Sequence, residues 1–288
     1  MAGIAWVNGK LAAPEEPAIS PLDPGFLYGE GLFETMRAYR GRVFRLSQHL
    51  DRLLDAAPQI GLTPPARQVL EGAIAEALGA SGLEDGSVRL TVTPGPTERG
   101  EPTVVALVRP LALPPAEWYA TGCRAVSVTA AHAMADPLRS IKSLNYLDKL
   151  MAQRAAAQAG AEEAIIVDPD GFVVEGAMRN VFAVLGDAVV TPPLSRGLLP
   201  GITREAVLEI LGERQEVQCS ARDISLAELH GANECFLTSS LAEILPVASV
   251  DGHPMAAAPG PITRMAVECY RRLVAAELDL GGELKRPG

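Results

Sequence analysis

The chain has 288 residues, 48% of them hydrophobic and 21% charged, a globular composition with core enough for one large domain or two smaller ones. A formal net charge of −10 argues against a nucleic-acid surface, and no apolar run approaches the roughly 18 residues of a membrane span. Four dispersed cysteines (Cys123, Cys219, Cys235, Cys269) suit neither a disulfide framework nor a metal knuckle, and the N-terminus lacks the features of a signal peptide, so a metal-free, cytoplasmic protein is expected.

Ala5-Trp6-Val7-Asn8-Gly9-Lys10-Leu11 reads as a strand pair around an Asn-Gly turn. A Pro-rich connection leads to Asp23 through Leu32, read as a loop in which Gly25, Gly29 and Gly31 permit close backbone approach. Residues 33–39 and 42–46 form a second hairpin turning at Arg40-Gly41, and their alternation predicts one buried face. A helix is predicted from Ser47, capped by that side chain, with Leu50, Leu53 and Leu54 as its apolar stripe and Arg52 among them. A helix over 66–78 and strands over 87–93 and 103–109 complete an α+β unit, and 111–117 reads as the linker out. The expected division is a small N-terminal domain at 1–115 and a larger C-terminal one at 116–288.

In the second half a helix is predicted over 144–159, with Leu147, Leu150 and Met151 as its apolar face and Lys149 on a polar one. Two hairpins follow, 164–167 with 172–174 and 181–184 with 189–191, and predict an antiparallel meander. Pro200-Gly201-Ile202-Thr203 leads into a helix at 204–211, and a strand over 234–237 runs into Thr238-Ser239-Ser240.

Of 25 basic residues only four are lysines, Lys10, Lys142, Lys149 and Lys285. Lys142 stands beside Ile141 and Leu144, where desolvation favours a neutral, nucleophilic amine; the ordinary reading is a surface lysine at a helix start. Gly201-Ile202-Thr203 places amides and a hydroxyl at a helix N-terminus, a natural anion site, and Thr238-Ser239-Ser240 adds hydroxyls; both also read as plain structural caps. Glu175 ends the apolar run Phe172-Val173-Val174, either pointing at water or needing a partner. An amine, a phosphate cup that includes Arg52, and a carboxylate for a ring nitrogen are the set that pyridoxal phosphate requires.

Through these residues the chain resembles the fold-type IV pyridoxal-phosphate enzymes: branched-chain aminotransferases, D-amino-acid aminotransferases and aminodeoxychorismate lyases. The likeness runs through residues 28–34, 49–53, Lys142-Ser143-Leu144-Asn145-Tyr146, residues 175–182, Leu199-Pro200-Gly201-Ile202-Thr203-Arg204 and residues 240–247. It implies a two-domain α+β fold whose larger domain has antiparallel strands. It also implies pyridoxal 5'-phosphate joined to Lys142 as a Schiff base, Glu175 on the pyridine nitrogen, Tyr146 near the ring hydroxyl, and Arg52, Ile202, Thr203 and Ser240 on the phosphate. Tyr28, Thr35, Arg89, Arg99 and Leu241 are its implied substrate residues. A homodimer, with the site between the domains and a loop from the neighbour, is its implied assembly.

The implied reaction moves an amino group between an amino acid, or a chiral amine, and a 2-oxo acid. Ser87-Val88-Arg89 keeps half of a branched-chain Tyr-x-Arg signature, and Arg99-Gly100-Glu101 keeps the arginine but not the histidine of a D-amino-acid Arg-x-His. Thr35, Arg89 and Arg99 fit the alternative, an aminodeoxychorismate lyase releasing pyruvate and 4-aminobenzoate. Leu144-Asn145-Tyr146-Leu147 and Thr191-Pro192-Pro193-Leu194 favour the aminotransferase. A non-catalytic, cofactor-binding relative is the third reading.

Overall fold

The computed structural model describes residues 3–96, 100–129, 139–281 and 284, so the expected substrate residue Arg99 lies outside the described residues, as does Lys285. The chain forms two compact units, Met1–Ala112 with Ile141–Asn145, and Leu113–Ser140 with Tyr146–Gly288. A single cut at 115/116 has no place for Ile141–Asn145. Those five residues join the first unit through backbone hydrogen bonds to Gly31 and Phe33, a long-range pairing that no local pattern announces.

The first unit is built on strands β1 (Ile4–Val7), β2 (Lys10–Ala12), β3 (Leu32–Tyr39), β4 (Arg42–Val43), β5 (Gly86–Thr93) and β6 (Thr103–Pro110). They form one antiparallel sheet in the order β2-β1-β6-β5-β3-β4. Asn8 and Gly9 both adopt positive φ (44° and 88°), which is what an Asn-Gly hairpin turn demands. Helices α1 (Pro24–Tyr28), α2 (Leu46–Ala56) and α3 (Arg67–Ser81) belong to the same unit. Leu50 and Leu53 of α2 and Leu70 and Ile74 of α3 join Met36, Val88 and Leu90 of the sheet in one core.

Three local expectations change. The stretch read as a loop contains α1, because Asp23 caps it by accepting from the Gly25 amide at 2.8 Å and Pro24 occupies the first turn. Helix α2 begins one residue early, from Arg45 in the left-handed region (φ 51°), with no side-chain cap; Ser47 lies inside the first turn and bonds Asp51 instead. In β3 both faces are buried, since Phe33, Arg37 and Tyr39 on the second face are covered as well as Leu32, Met36 and Ala38 on the first.

The second unit carries β7 (Cys123–Thr129), β8 (Glu163–Val167), β9 (Val173–Gly176), β10 (Asn180–Leu185), β11 (Ala188–Thr191), β12 (Gln218–Ala221), β13 (Glu234–Ser239), β14 (Glu243–Val250) and β15 (His253–Pro254). Their order is β12-β11-β10-β13-β14-β7-β8-β9, with β15 on β14. Both predicted hairpins are present, β8 with β9 and β10 with β11. They do not make a meander: β13, β14 and β7 lie between them, and β11–β12, β14–β7 and β7–β8 are parallel pairs. The larger unit is therefore a mixed sheet rather than an antiparallel one.

Helices α4 (Ala116–Thr121), α5 (Leu147–Gln158), α6 (Ile202–Gly212), α7 (Leu226–His230) and α8 (Pro261–Glu277) complete the unit. The parallel β7–β8 pair needs a crossover, and α5 lies within it. Helix α5 starts at Leu147, not Leu144, and turns an unexpected side inward. Lys149, Ala152 and Ala156 are buried, whereas Leu147 and Met151 are 62% and 59% exposed and Leu150 is exposed too.

Asp23 also accepts from Thr93 (2.8 Å) and Thr103 (2.7 Å), tying α1 to β5 and β6 from a fully buried position. Asp23→Ala leaves these donors unpaired and should cost about 3 kcal/mol, since hydrogen bonds to a charged group are the strong ones. Urea unfolding checks this, and a loss below about 1 kcal/mol would contradict it.

Candidate active site

Lys142 is fixed by its backbone. Phe33 N–H donates to the Lys142 carbonyl (2.9 Å), Leu144 N–H donates to the Gly31 carbonyl (2.9 Å), and Leu32 bridges Ser143, so residues 142–144 lie along the start of β3. Gly31 is required for this approach, because a Cβ there would meet Leu144 and the Val92 carbonyl at 2.8 Å. Ile141 is anchored in the first unit's core. The half-buried Lys142 side chain then places Nζ over the Phe33 ring, 4.5 Å from its centroid.

The same ring carries the Arg89 guanidinium, 3.7 Å from the centroid. Arg89 pairs in register with Thr35, two residues from Phe33 and on the same face, because alternate residues of a strand share a face. Two of the expected substrate residues, Thr35 and Arg89, thus stand with Lys142 in one cluster. Arg37, next on that face and stacked on Tyr39 at 4.4 Å, adds a buried cation that the sequence reading did not single out. Tyr28, expected to touch substrate, ends α1 and is 75% exposed.

On the opposite face of β3, Glu34 is wholly buried among cations. Arg52 donates to both of its oxygens, Nε to Oε1 at 2.8 Å and a terminal nitrogen to Oε2 at 2.6 Å. His49 Nδ1 meets Oε2 at 2.6 Å and must be the donor, because a carboxylate only accepts. Burial alone would push Glu34 up; Arg52 and His49 outweigh it and hold the carboxyl down at about 2. Burial also lowers His49, assisted by Arg52 and Lys142 and opposed by Glu34. Arg52 thus has its guanidinium plane set by a buried carboxylate.

In the second unit Glu175 faces inward. Its Oε1 accepts from Lys149 Nζ at 2.7 Å, and its Oε2 takes a longer 3.3 Å bond from the Leu199 amide. Lys149 is therefore not on a polar surface face: it is 9% exposed and ion-paired. Burial lowers its pKa, and the Glu175 carboxylate together with Tyr146 and Asp148 more than offsets this, so the ammonium is stabilised. The half-buried Tyr146 ring lies 5.3 Å from Nζ. One clue to Lys149 was legible, the scarcity of lysine in the chain.

Leu199 also accepts from Asn180 Nδ2 (2.9 Å), which joins the Glu175 strand and β10 to the start of α6. The N-cap of α6 is Gly201, which makes no side-chain cap, so the first amides, Ile202 and Thr203, face an anion position without a serine or aspartate in the way. A Cβ at Gly201 would sit 2.0 Å from Asn180 Oδ1, so any larger residue there would have to displace the Asn180 side chain. Thr203 is buried, whereas Ser240 and Leu241 are half-buried past the end of β13. Thr238, paired in register with Asn180, has a buried hydroxyl with no hydrogen-bond partner.

The family profile for amino-transferase class IV matches residues 31–250. The chain belongs to the class IV aminotransferases. Among solved structures, this class IV aminotransferase is similar to a branched-chain aminotransferase of Thermoproteus uzoniensis (34% identity, TM-score 0.85, 96% of this chain and 95% of that one). It is likewise similar to the Escherichia coli branched-chain aminotransferase (27% identity, TM-score 0.87, 96% of each chain). A D-alanine aminotransferase of Bacillus licheniformis is 32% identical over 279 residues, 94% of this chain and 96% of the relative. The two-unit α+β fold is that of the fold-type IV aminotransferases, and the enzyme is a pyridoxal-phosphate-dependent aminotransferase. The donor set suits that cofactor: a buried carboxylate for a cationic ring nitrogen, an uncapped helix N-terminus for a phosphate, and an orphaned buried hydroxyl on the strand beside it.

Glu34's folded value lies below its usual 4.5, so the stability it contributes is full above pH 4.5 and is lost as pH falls toward about 2. Glu34→Gln should be about 3 kcal/mol less stable at pH 7 and should lack that part of the acid dependence. Urea unfolding from pH 7 to pH 2 checks both, and parallel pH profiles for the two proteins would contradict the assignment.

Proposed function

We propose that the amino donor is an α-amino acid and the acceptor a 2-oxo acid, with the substrate carboxylate taken by Arg89 and the reacting carbon presented to Lys142. One observation carries this reading: Lys142 Nζ and the Arg89 guanidinium lie against the same Phe33 ring, at 4.5 Å and 3.7 Å from its centroid. A molecule bearing amine and carboxylate on one carbon meets both Lys142 and Arg89; a simple amine meets only Lys142. The arginine fork suits a carboxylate in a way a lysine would not. The Thermoproteus uzoniensis enzyme was solved with norvaline and the Bacillus licheniformis relative is a D-alanine aminotransferase, both in keeping with amino-acid substrates.

Bound in this enzyme, pyridoxal phosphate supplies an aldehyde and an electron-withdrawing ring. Lys142 would hold the cofactor at its aldehyde carbon and, as a free amine, would carry the proton between the substrate Cα and the cofactor C4′. Glu175 would take the ring nitrogen and keep it protonated, with Tyr146 by the ring hydroxyl. Arg52, the Ile202 and Thr203 amides, the Thr203 hydroxyl and Ser240 take the phosphate. Thr35, Tyr28, Arg99 and Leu241 line the substrate.

A homodimer belongs to the same reading. Leu22, Phe26, Leu27 and Tyr28 expose apolar side chains in and beside α1, which a second copy would cover. A monomeric mass by sedimentation would remove it. The four free cysteines suit a reducing, cytoplasmic setting.

The test is a single-turnover spectrum of the cofactor-loaded enzyme mixed with L-amino acids, D-amino acids or (R)-amines. Amino acids of one set should convert the cofactor to its aminated form, a 2-oxo acid should restore it, and Arg89→Ala should raise the amino-acid KM by roughly 10-fold or more with a smaller change in kcat. Conversion by (R)-amines alone would overturn the carboxylate role of Arg89. Pyruvate and an aromatic amine formed only from aminodeoxychorismate would replace transamination by the lyase reaction.

A further inference from the structure

The roles given above use Glu175 and leave its partner Lys149 without one. We propose that Lys149 is a positioning residue that shares the Glu175 carboxylate with the cofactor's ring nitrogen, so that this nitrogen holds its proton less firmly than an unshared glutamate would make it. The inference rests on the placement of Glu175 at the ring nitrogen and goes beyond it.

The geometry of the pair carries the argument. Lys149 Nζ engages Oε1 at 2.7 Å, and among the described residues Oε2 has only the 3.3 Å bond from the Leu199 amide, so Oε2 is the oxygen with capacity for a further donor. Both side chains are held: Lys149 stands on the buried face of α5 with Ala152 and Ala156, and Glu175 pairs in register with Ile166 on β8. The charged and polar groups around the ammonium are Glu175, the Tyr146 ring, and Asp148, whose Oδ1 accepts from the Lys149 backbone amide at 2.7 Å. Burial opposes the charge on Lys149, and Glu175 with Tyr146 and Asp148 more than restores it, so the ammonium persists at neutral pH.

Two cations on one carboxylate repel each other while each is attracted to the charge between them. A ring proton held by Glu175 alone feels only the attraction; beside Lys149 it feels both. Lys149 thereby moderates the electron sink that the ring offers to the substrate Cα. No covalent step is involved, and the only transferable particle is the ring proton.

The experiment uses holoenzyme loaded with pyridoxal phosphate carrying 15N in the ring and follows the nitrogen resonance against pH. Wild type, Lys149→Met, Lys149→Gln, Lys149→Arg and Glu175→Gln are compared. In the two neutral Lys149 variants the ring proton should persist to a pH higher by about one unit or more, and Lys149→Arg should titrate like wild type. Lys149→Gln keeps a polar side chain and carries the comparison if Lys149→Met fails to fold. Identical titrations in wild type and the neutral variants, with Glu175→Gln alone changing the nitrogen, would overturn the role of Lys149 and leave that of Glu175 standing. A nitrogen that ignores Glu175→Gln as well would overturn the placement of Glu175 itself.

Discussion

Two backbone hydrogen bonds, Phe33 N–H to the Lys142 carbonyl and Leu144 N–H to the Gly31 carbonyl, decide where Lys142 stands. They fasten a five-residue segment to the start of β3, although the chain on either side of it belongs to the other unit. Because the bonds are made by backbone, the strand Lys142 rides on brings Phe33, Thr35 and Arg89 to its side chain. The antiparallel sheet beneath is rigid, with Met36, Val88 and Leu90 locked in the core on its other side. Lys142 is therefore placed by the sheet and not by the helix that follows it in sequence.

The charges of the site obey a second constraint. A buried carboxylate without a partner is costly, and each of the two here is held by basic side chains of a helix. Glu34 is gripped by Arg52 and His49 from α2, and Glu175 by Lys149 from α5. In the first case the carboxylate fixes the plane of the arginine. In the second the cation offsets the buried carboxylate. The same device, a strand carboxylate against a helical base, recurs in each unit.

Much of this was legible in the sequence because it rests on local chemistry. The Asn8-Gly9 turn, the β10–β11 hairpin and the helix start after Gly201 follow from residues a few positions apart. The family likeness rests on six short motifs in order, and the class IV profile covers all but the first three residues of them. What escaped notice depends on residues far apart in the chain. Alternation along β3 suggested one buried face because it cannot report what covers the second. Helix α5 has leucines and a methionine on one side, so hydrophobic spacing assigned the wrong face; a small alanine face and one paired lysine pack inward instead. The parallel pairings of β7 with β8 and β14 follow from crossovers, which leave no short-range signature. Asp23 read as part of a glycine loop because its partners, Thr93 and Thr103, are about a third of the chain or less away yet far beyond any turn.

The central claim is that Lys142, and not the equally uncommon Lys149, carries the cofactor. Borohydride reduction of the cofactor-loaded enzyme, followed by digestion and mass spectrometry, tests it most directly. The account predicts a pyridoxyl group on Lys142, on the peptide that contains Ser143 to Tyr146, with Lys149 unmodified. A pyridoxyl group on Lys149, or on neither lysine in an enzyme that was yellow before reduction, would contradict it.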